Sequence, residues 1–175
     1  MNLEMPPITS PQNVYSATKK YPFHLSVGAV IRRSDGKILC HHFDTLPDPL
    51  GHHDDVYILM RETVESGESM EEALIRGAME EFGAAIKVDH ILEAKIDRIV
   101  NDQKDFRWDK TTLYFACSLI ELDVRERDED DFESSSDIEW KEPEFLINHM
   151  KEQGKRTGRG DLDESRILEL VVSGV

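Results

Sequence analysis

The stretch Ser69-Met-Glu-Glu-Ala-Leu-Ile-Arg-Gly-Ala-Met-Glu-Glu-Phe-Gly83 constrains this chain more than any other. Ser69 followed three residues later by Glu72 is the pattern of a reciprocal helix cap, in which each side chain accepts from the other residue's backbone N–H. Gly83 supplies the Cβ-free residue at which helices commonly stop. The spacing therefore predicts a helix over Ser69 to Phe82, with Leu74, Ile75, Ala78, Met79 and Phe82 as its apolar face. At about 100° per residue, with Ala78 central, Ala73, Gly77, Glu80 and Glu81 form a flank beside that face, while Ser69 and Arg76 point away. Adjacent carboxylates repel, and a hard divalent ion with its preference for oxygen ligands relieves the repulsion. Glu68, just ahead of the helix, and the chain reversal at Ser66-Gly67 would bring a third carboxylate towards the same place. The same acids also read as a solvated face, with Glu72 and Glu80 flanking Arg76 at four-residue spacing.

Around this helix the pattern is mostly β. Residues 1–20, with Pro6, Pro7 and Pro11 among polar neighbours, read as a flexible tail, and residues 21–175 as one domain. Phe23 to Ile31 and Ile38 to Cys40, separated by Ser34-Asp35-Gly36-Lys37, predict a hairpin. His41 to Asp55, with two prolines, a glycine and four histidines, reads as a long loop before a short strand Val56 to Met60. Strands are expected at Ala85 to Val100 and Thr111 to Leu122, joined by a polar turn containing Phe106 and Trp108. An acidic run, Asp123 to Asp137, precedes a short strand at Ile138-Glu139-Trp140. A helix from Pro143 to Gln153, a basic glycine-rich loop from Gly154 to Gly160 and a last helix from Asp161 to about Val172 complete the chain. No internal repeat is present.

Charge narrows the partners. The 36 acidic against 21 basic residues give a net charge of −15, which repels nucleic-acid polymers and anionic membrane surfaces. A phosphorylated small molecule would need cations to bridge it to such a surface. Cys40 and Cys117 sit inside apolar runs, as expected for buried reduced thiols and a cytoplasmic location. No apolar run approaches the roughly 20 residues that span a bilayer, and the polar N-terminus, with Glu4 and its prolines, lacks a signal-peptide core.

The segment Glu62 to Ala84 resembles the Nudix box, G-x5-E-x7-R-E-U-x-E-E-x-G-U, where U is aliphatic. Glu68, Arg76, Ala78, Glu80, Glu81, Gly83 and Ala84 fall on its E, R, U, E, E, G and U with the spacing intact. The resemblance implies an α+β fold, an α/β/α sandwich with a mixed central β-sheet over about Pro22 to Val172. It also implies metal-dependent hydrolysis of a nucleoside diphosphate linked to another moiety, with Mg²⁺ or Mn²⁺ held by Glu68, Glu80 and Glu81. Arg76, Glu80 and Glu81 would be the catalytic set, with Arg76 orienting carboxylates. Relatives of this fold are frequently homodimers.

Two positions depart from the box. Glu62 stands where it begins with glycine, where a side chain would alter how substrate or metal approaches. Gly77 stands where relatives carry a glutamate that serves as metal ligand or base. Glu62, Glu139 or an acid from Asp123 to Glu133 would have to replace it, and losing a general base typically costs about 100- to 10,000-fold in rate. Gly77 therefore also favours a second reading, a non-catalytic ligand-binding or regulatory module; a third is an acidic interaction protein working through Asp123 to Asp137. The pairs His41-His42 and His52-His53 match no compact zinc spacing and read as a polar loop touching substrate or solvent. Among the aromatics Phe106, Trp108 and Trp140, Trp108 is the one expected to stack on a base, against the commoner alternative of core packing. Lys151, Lys155, Arg156 and Arg159 read as a solvated loop offsetting the acidic surface, with contact to a phosphate as the alternative.

Overall fold

The computed structural model describes residues 15–48, 51–101, 105–128 and 132–174. Its strands are β1 (Phe23–Arg32), β2 (Ile38–Asp48), β3 (Gly51–Ile58), β4 (Met60–Thr63), β5 (Ala84–Asn101), β6 (Phe106–Leu122) and β7 (Asp137–Lys141). The helices are α1 (Met70–Phe82), α2 (Pro143–Thr157) and α3 (Ser165–Ser173). One seven-stranded sheet runs β3-β2-β1-β6-β5, with β4 paired to β1 and β7 to β2. The β1–β6 pair is parallel and the others antiparallel, so the sheet is mixed.

Alternation along the strands divides the core. Val27, Ala29 and Ile31 of β1 face Leu74, Ala78 and Phe82 of α1. Val30, between them, points to the other face, where Tyr57, Leu59 and Tyr114 pack with Leu146 and Met150 of α2 and Ile167 and Leu168 of α3. The result is the α/β/α sandwich. No helix among the described residues is long and apolar enough to cross a membrane. Cys40 and Cys117 are buried free thiols, and burial pushes each up to about 12.

The helix ends fall where the sequence places them. Ser69 and Glu72 close the reciprocal cap, and Gly83 takes the left-handed conformation at φ 68°. The buried face differs. Ala73, Leu74, Gly77, Ala78, Glu81 and Phe82 are buried, whereas Ile75 and Met79 are exposed at 43% and 37%. The stripe is turned towards the small residues Ala73 and Gly77, which let the helix settle close to β4.

Other boundaries also move. His41 to Asp55 is no loop: β2 and β3 pair as a hairpin from His41↔Ile58 to Asp48↔Gly51. Its tip, residues 49–50, lies outside the described residues, as do the tail's residues 1–14. The histidines obscured an alternation in which His41 and Phe43 are buried, with Leu46 buried out of step with them. Phe106 and Trp108 lie inside β6 rather than in a turn, stacked at 4.9 Å. Helix α2 continues past Gly154 to Thr157, and within it buried Gln153 bonds the Tyr57 backbone on both sides and the Leu162 carbonyl. A 3-10 turn at Gly160–Leu162 then precedes α3, which starts at Ser165 rather than Asp161.

His41 ties three elements together. Its ring stacks on Phe82 at 4.1 Å, Nε2 lies 2.8 Å from Glu81 Oε2, and Nδ1 lies 2.8 Å from Ser136 Oγ. Burial, with Arg127 and Arg61 adding repulsion, holds the ring's pKa well below its ordinary value. A neutral ring with its proton on Nε2 donates to Glu81 and turns Nδ1 to the Ser136 hydroxyl. Replacing His41 with Ala should cost about 1–3 kcal/mol in urea unfolding, because a buried carboxylate and a buried hydroxyl each lose a partner.

His24 gives a pH signature. Burial, and secondarily Lys110, lowers it to about 4 from an ordinary 6.5. The unfolded chain therefore takes up this proton first as pH falls, so the contribution is complete above about 6.5 and is lost on descending through about 4. His24→Asn should flatten the fall in urea midpoint over that window, and an unchanged slope would contradict this origin.

Candidate active site

The site is built where α1 crosses β4 and the loop that follows it. Arg76 projects from α1 into a ring of acceptors. Its Nη2 donates to the Thr63 carbonyl at 3.0 Å and to Glu68 Oε1 at 2.8 Å, while Nε donates to Glu68 Oε2 at 3.2 Å. Nη1 donates to Glu80 Oε2 at 3.0 Å and lies 3.4 Å from Glu62 Oε2. One guanidinium thus gathers three carboxylates from the end of β4, the loop and the helix. Arginine suits this work because its planar fork bonds in several directions and stays charged.

The three are not held alike. Glu68 is gripped on both oxygens by Arg76 and also accepts from the Glu65 N–H at 2.5 Å. The Arg76 hydrogen bonds are the main cause that holds its carboxyl below the usual range. Glu62 accepts from the Thr63 N–H at 2.6 Å through Oε1, leaving Oε2 at the longer ion-pair distance from Arg76. Burial raises its pKa, with Arg76 opposing and Glu80 adding repulsion. Glu80 is the most open, and among the described residues nothing bonds its Oε1.

Gly77 lies one residue beyond Arg76, against Glu62. A Cβ built there would stand 2.6 Å from Glu62 Cβ, 2.9 Å from Glu62 Cγ and 3.2 Å from Met60 Cε. No side chain fits while Glu62 is present, since the near atoms are the rigid base of that side chain.

The remaining expected residues are dispersed. Glu81 follows Glu80 on α1 but is buried against His41. Glu139 does not join the cluster. Its neighbours Ile138 and Trp140 pack in the α1 core, so Glu139 points to the opposite face, where Tyr57 donates to it at 3.3 Å and Lys141 pairs at 2.7 Å. Trp108 lines a depression of about 250 Å³ with Pro22, Phe23, Arg98, Arg107 and Asp109, none of them in the acidic cluster. Of the late acidic run, Asp128 is brought to α1, its N–H donating to the Glu80 carbonyl at 2.9 Å; residues 129–131 lie outside the described residues. Of the histidine pairs, His42 stacks on Tyr57 and bonds Asp55, while the His52 side chain lies outside what is described. In the basic stretch, Lys151 pairs with Glu169, Lys155 with Glu152, Arg159 with Asp161, and Arg156 bonds the Asp54 and Asp55 carbonyls.

The sequence places His41 in a polar loop and assigns no role to Ser136 or Arg127. Arg127 donates to the Ser136 and Glu133 carbonyls and so anchors the acidic loop beside His41. The alternation His41, Phe43 was the one available signal.

Among the described residues no three His, Cys, Asp or Glu side chains stand in an arrangement that would grip an ion alone. Mg²⁺ rarely needs one, since it keeps waters and combines one or two carboxylates with phosphate oxygens. Glu80 and Glu62, each held by a single guanidinium nitrogen, supply that kind of oxygen donor. The residues present fit a hard divalent ion bound together with a phosphorylated ligand.

A family model described as the NUDIX domain matches residues 22–159. No curated protein matches the sequence. Among solved structures, a NUDIX hydrolase from Nitrosomonas europaea is similar with a TM-score of 0.58 at 16% identity, over 86% of this chain and 88% of its own. The MutT protein from Methanosarcina mazei Go1 gives 0.54 at 16% identity, over 86% and 94%. A UDP-X diphosphatase gives 0.53 at 18% identity, over 86% and 63%. At these identities the likeness is one of fold. The domain match, however, runs from the start of β1 into the turn after α2 and takes in the whole acidic helix, so the chain belongs to the Nudix family.

Proposed function

We propose that this chain is a metal-dependent hydrolase of a nucleoside diphosphate linked to another moiety. The observation that carries the reading is the convergence of Glu62, Glu68 and Glu80 on Arg76 along a box helix of intact spacing. The protein's net charge of −15 opposes a diphosphate on average, and a cation between the two would offset that repulsion. Hydrolase neighbours, one of them named a UDP-X diphosphatase, are consistent with the substrate class.

In this reading each residue has a defined task. Glu80, the most open carboxylate, and Glu62 face the ion; Mg²⁺ or Mn²⁺ when bound would neutralise phosphate oxygens and acidify a water. Glu68 stays on Arg76 and fixes the loop. Arg76 orients the carboxylates and anchors the loop through the Thr63 carbonyl. Glu81 and His41 hold the helix to β2 from below. Water oxygen adds to phosphorus, the bridging P–O bond breaks, and the water's proton passes to a carboxylate of the cluster.

The second reading, a ligand-binding module without turnover, is favoured by two observations: Gly77 carries no carboxylate, and Glu81 is committed to His41. Release of nucleoside monophosphate from a panel of nucleoside diphosphate conjugates with Mg²⁺ or Mn²⁺ separates the two. The hydrolase reading expects turnover that falls about 100-fold or more in Glu80→Gln. Conjugate binding with no turnover above that variant would leave the module.

A further inference from the structure

The geometry points to a reciprocal exchange in which Glu62, at the end of β4, supplies to the divalent ion the carboxylate that position 77 of α1 lacks. The inference rests on the metal-dependent reading above and assigns a residue within it. The box carries glycine at the first of these positions and glutamate at the second; this chain carries the reverse at both. The structure shows why the two changes belong together. A Cβ at position 77 would meet Glu62 Cβ at 2.6 Å and Cγ at 2.9 Å, so side chains at the two positions exclude one another. With glycine at position 62 those contacts vanish, leaving Met60 Cε at 3.2 Å, the movable end of a flexible side chain.

The replacement also delivers its carboxylate to the same neighbourhood. Glu62 Oε2 lies 3.4 Å from the Arg76 Nη1 that bonds Glu80 Oε2 at 3.0 Å, so the two acids share one cationic nitrogen. Thr63 N–H fixes the other oxygen of Glu62 at 2.6 Å, which orients the side chain over Gly77. Glu139 lies on the opposite sheet face with Tyr57 and Lys141. In this account Gly77 is the space that Glu62 occupies.

The test joins a Mn²⁺ titration in the presence of a non-hydrolysable nucleoside diphosphate conjugate, read by the electron paramagnetic resonance of free Mn²⁺ against the conjugate alone, to thermal melting, on the full chain and its Glu62→Gln, Glu80→Gln, Glu62→Gly, Gly77→Glu and Glu62→Gly/Gly77→Glu variants. Glu62→Gln should melt near the native chain and weaken Mn²⁺ about tenfold or more, as losses around metal sites do. Gly77→Glu should melt below the native chain, and the double variant should recover both the melting temperature and the Mn²⁺ affinity that Glu62→Gly loses. Native-like Mn²⁺ binding in Glu62→Gln, with loss in Glu80→Gln, would overturn the assignment and leave the metal reading intact. A double variant no better than Gly77→Glu would overturn the exchange. Insensitivity of both single glutamine variants, or no Mn²⁺ binding by the native chain, would remove the metal reading and this inference with it.

Discussion

The close approach of α1 to β4 at Gly77 is the constraint on which the site depends. Because Gly77 has no side chain to overlap Glu62, the helix can lie low over the strand. Arg76, the preceding residue, then reaches the Thr63 carbonyl at the strand's end and Glu68 in the loop. The strand is fixed from the other face as well. Buried Glu164 accepts from the Leu59 N–H at 2.8 Å where β3 gives way to β4, and Arg61 donates to the Asp161 carbonyl at 3.0 Å. Glu62 therefore stands between two helical layers, on a strand with little freedom to move.

Arg76 acts as a counterion built into the protein. Three carboxylates this close would repel strongly if left to themselves, and partial burial would enlarge the cost. The guanidinium offsets that cost unevenly. Glu68 has both oxygens engaged, whereas Glu62 and Glu80 share a single nitrogen. In the proposed function a divalent ion arriving with a diphosphate would compete for these two acids and leave the third in place. That division separates residues that shape the loop from residues able to exchange partners.

Local chemistry was legible and long-range pairing was not. The cap at Ser69 and the stop at Gly83 depend on residues within one turn, so both ends of α1 could be placed from sequence. The buried face was displaced because counting from hydrophobicity ranked Ile75 and Met79 above Ala73 and Gly77, while the structure selects for small size against β4. His41 was hidden for a related reason: a histidine suggests solvent, yet here Glu81 and Ser136 satisfy both ring nitrogens in the core. The two departures from the box were visible as separate anomalies at 62 and 77. Their contact was not, because only the fold brings the end of β4 against the middle of α1. Glu139 looked available for the same reason, since the alternation that sends it to the other face becomes decisive only once β7 is paired with β2.

The proposed function requires Glu62 and Glu80 to leave Arg76 for a divalent ion carrying a diphosphate. Anomalous diffraction from crystals soaked with Mn²⁺ and a non-hydrolysable nucleoside diphosphate conjugate tests it most directly. The account predicts a Mn²⁺ peak at coordination distance, about 2.0–2.2 Å, from an oxygen of each glutamate, with Glu68 still on Arg76. A phosphate-bound peak away from both glutamates, with all three acids still gathered on Arg76, would contradict it.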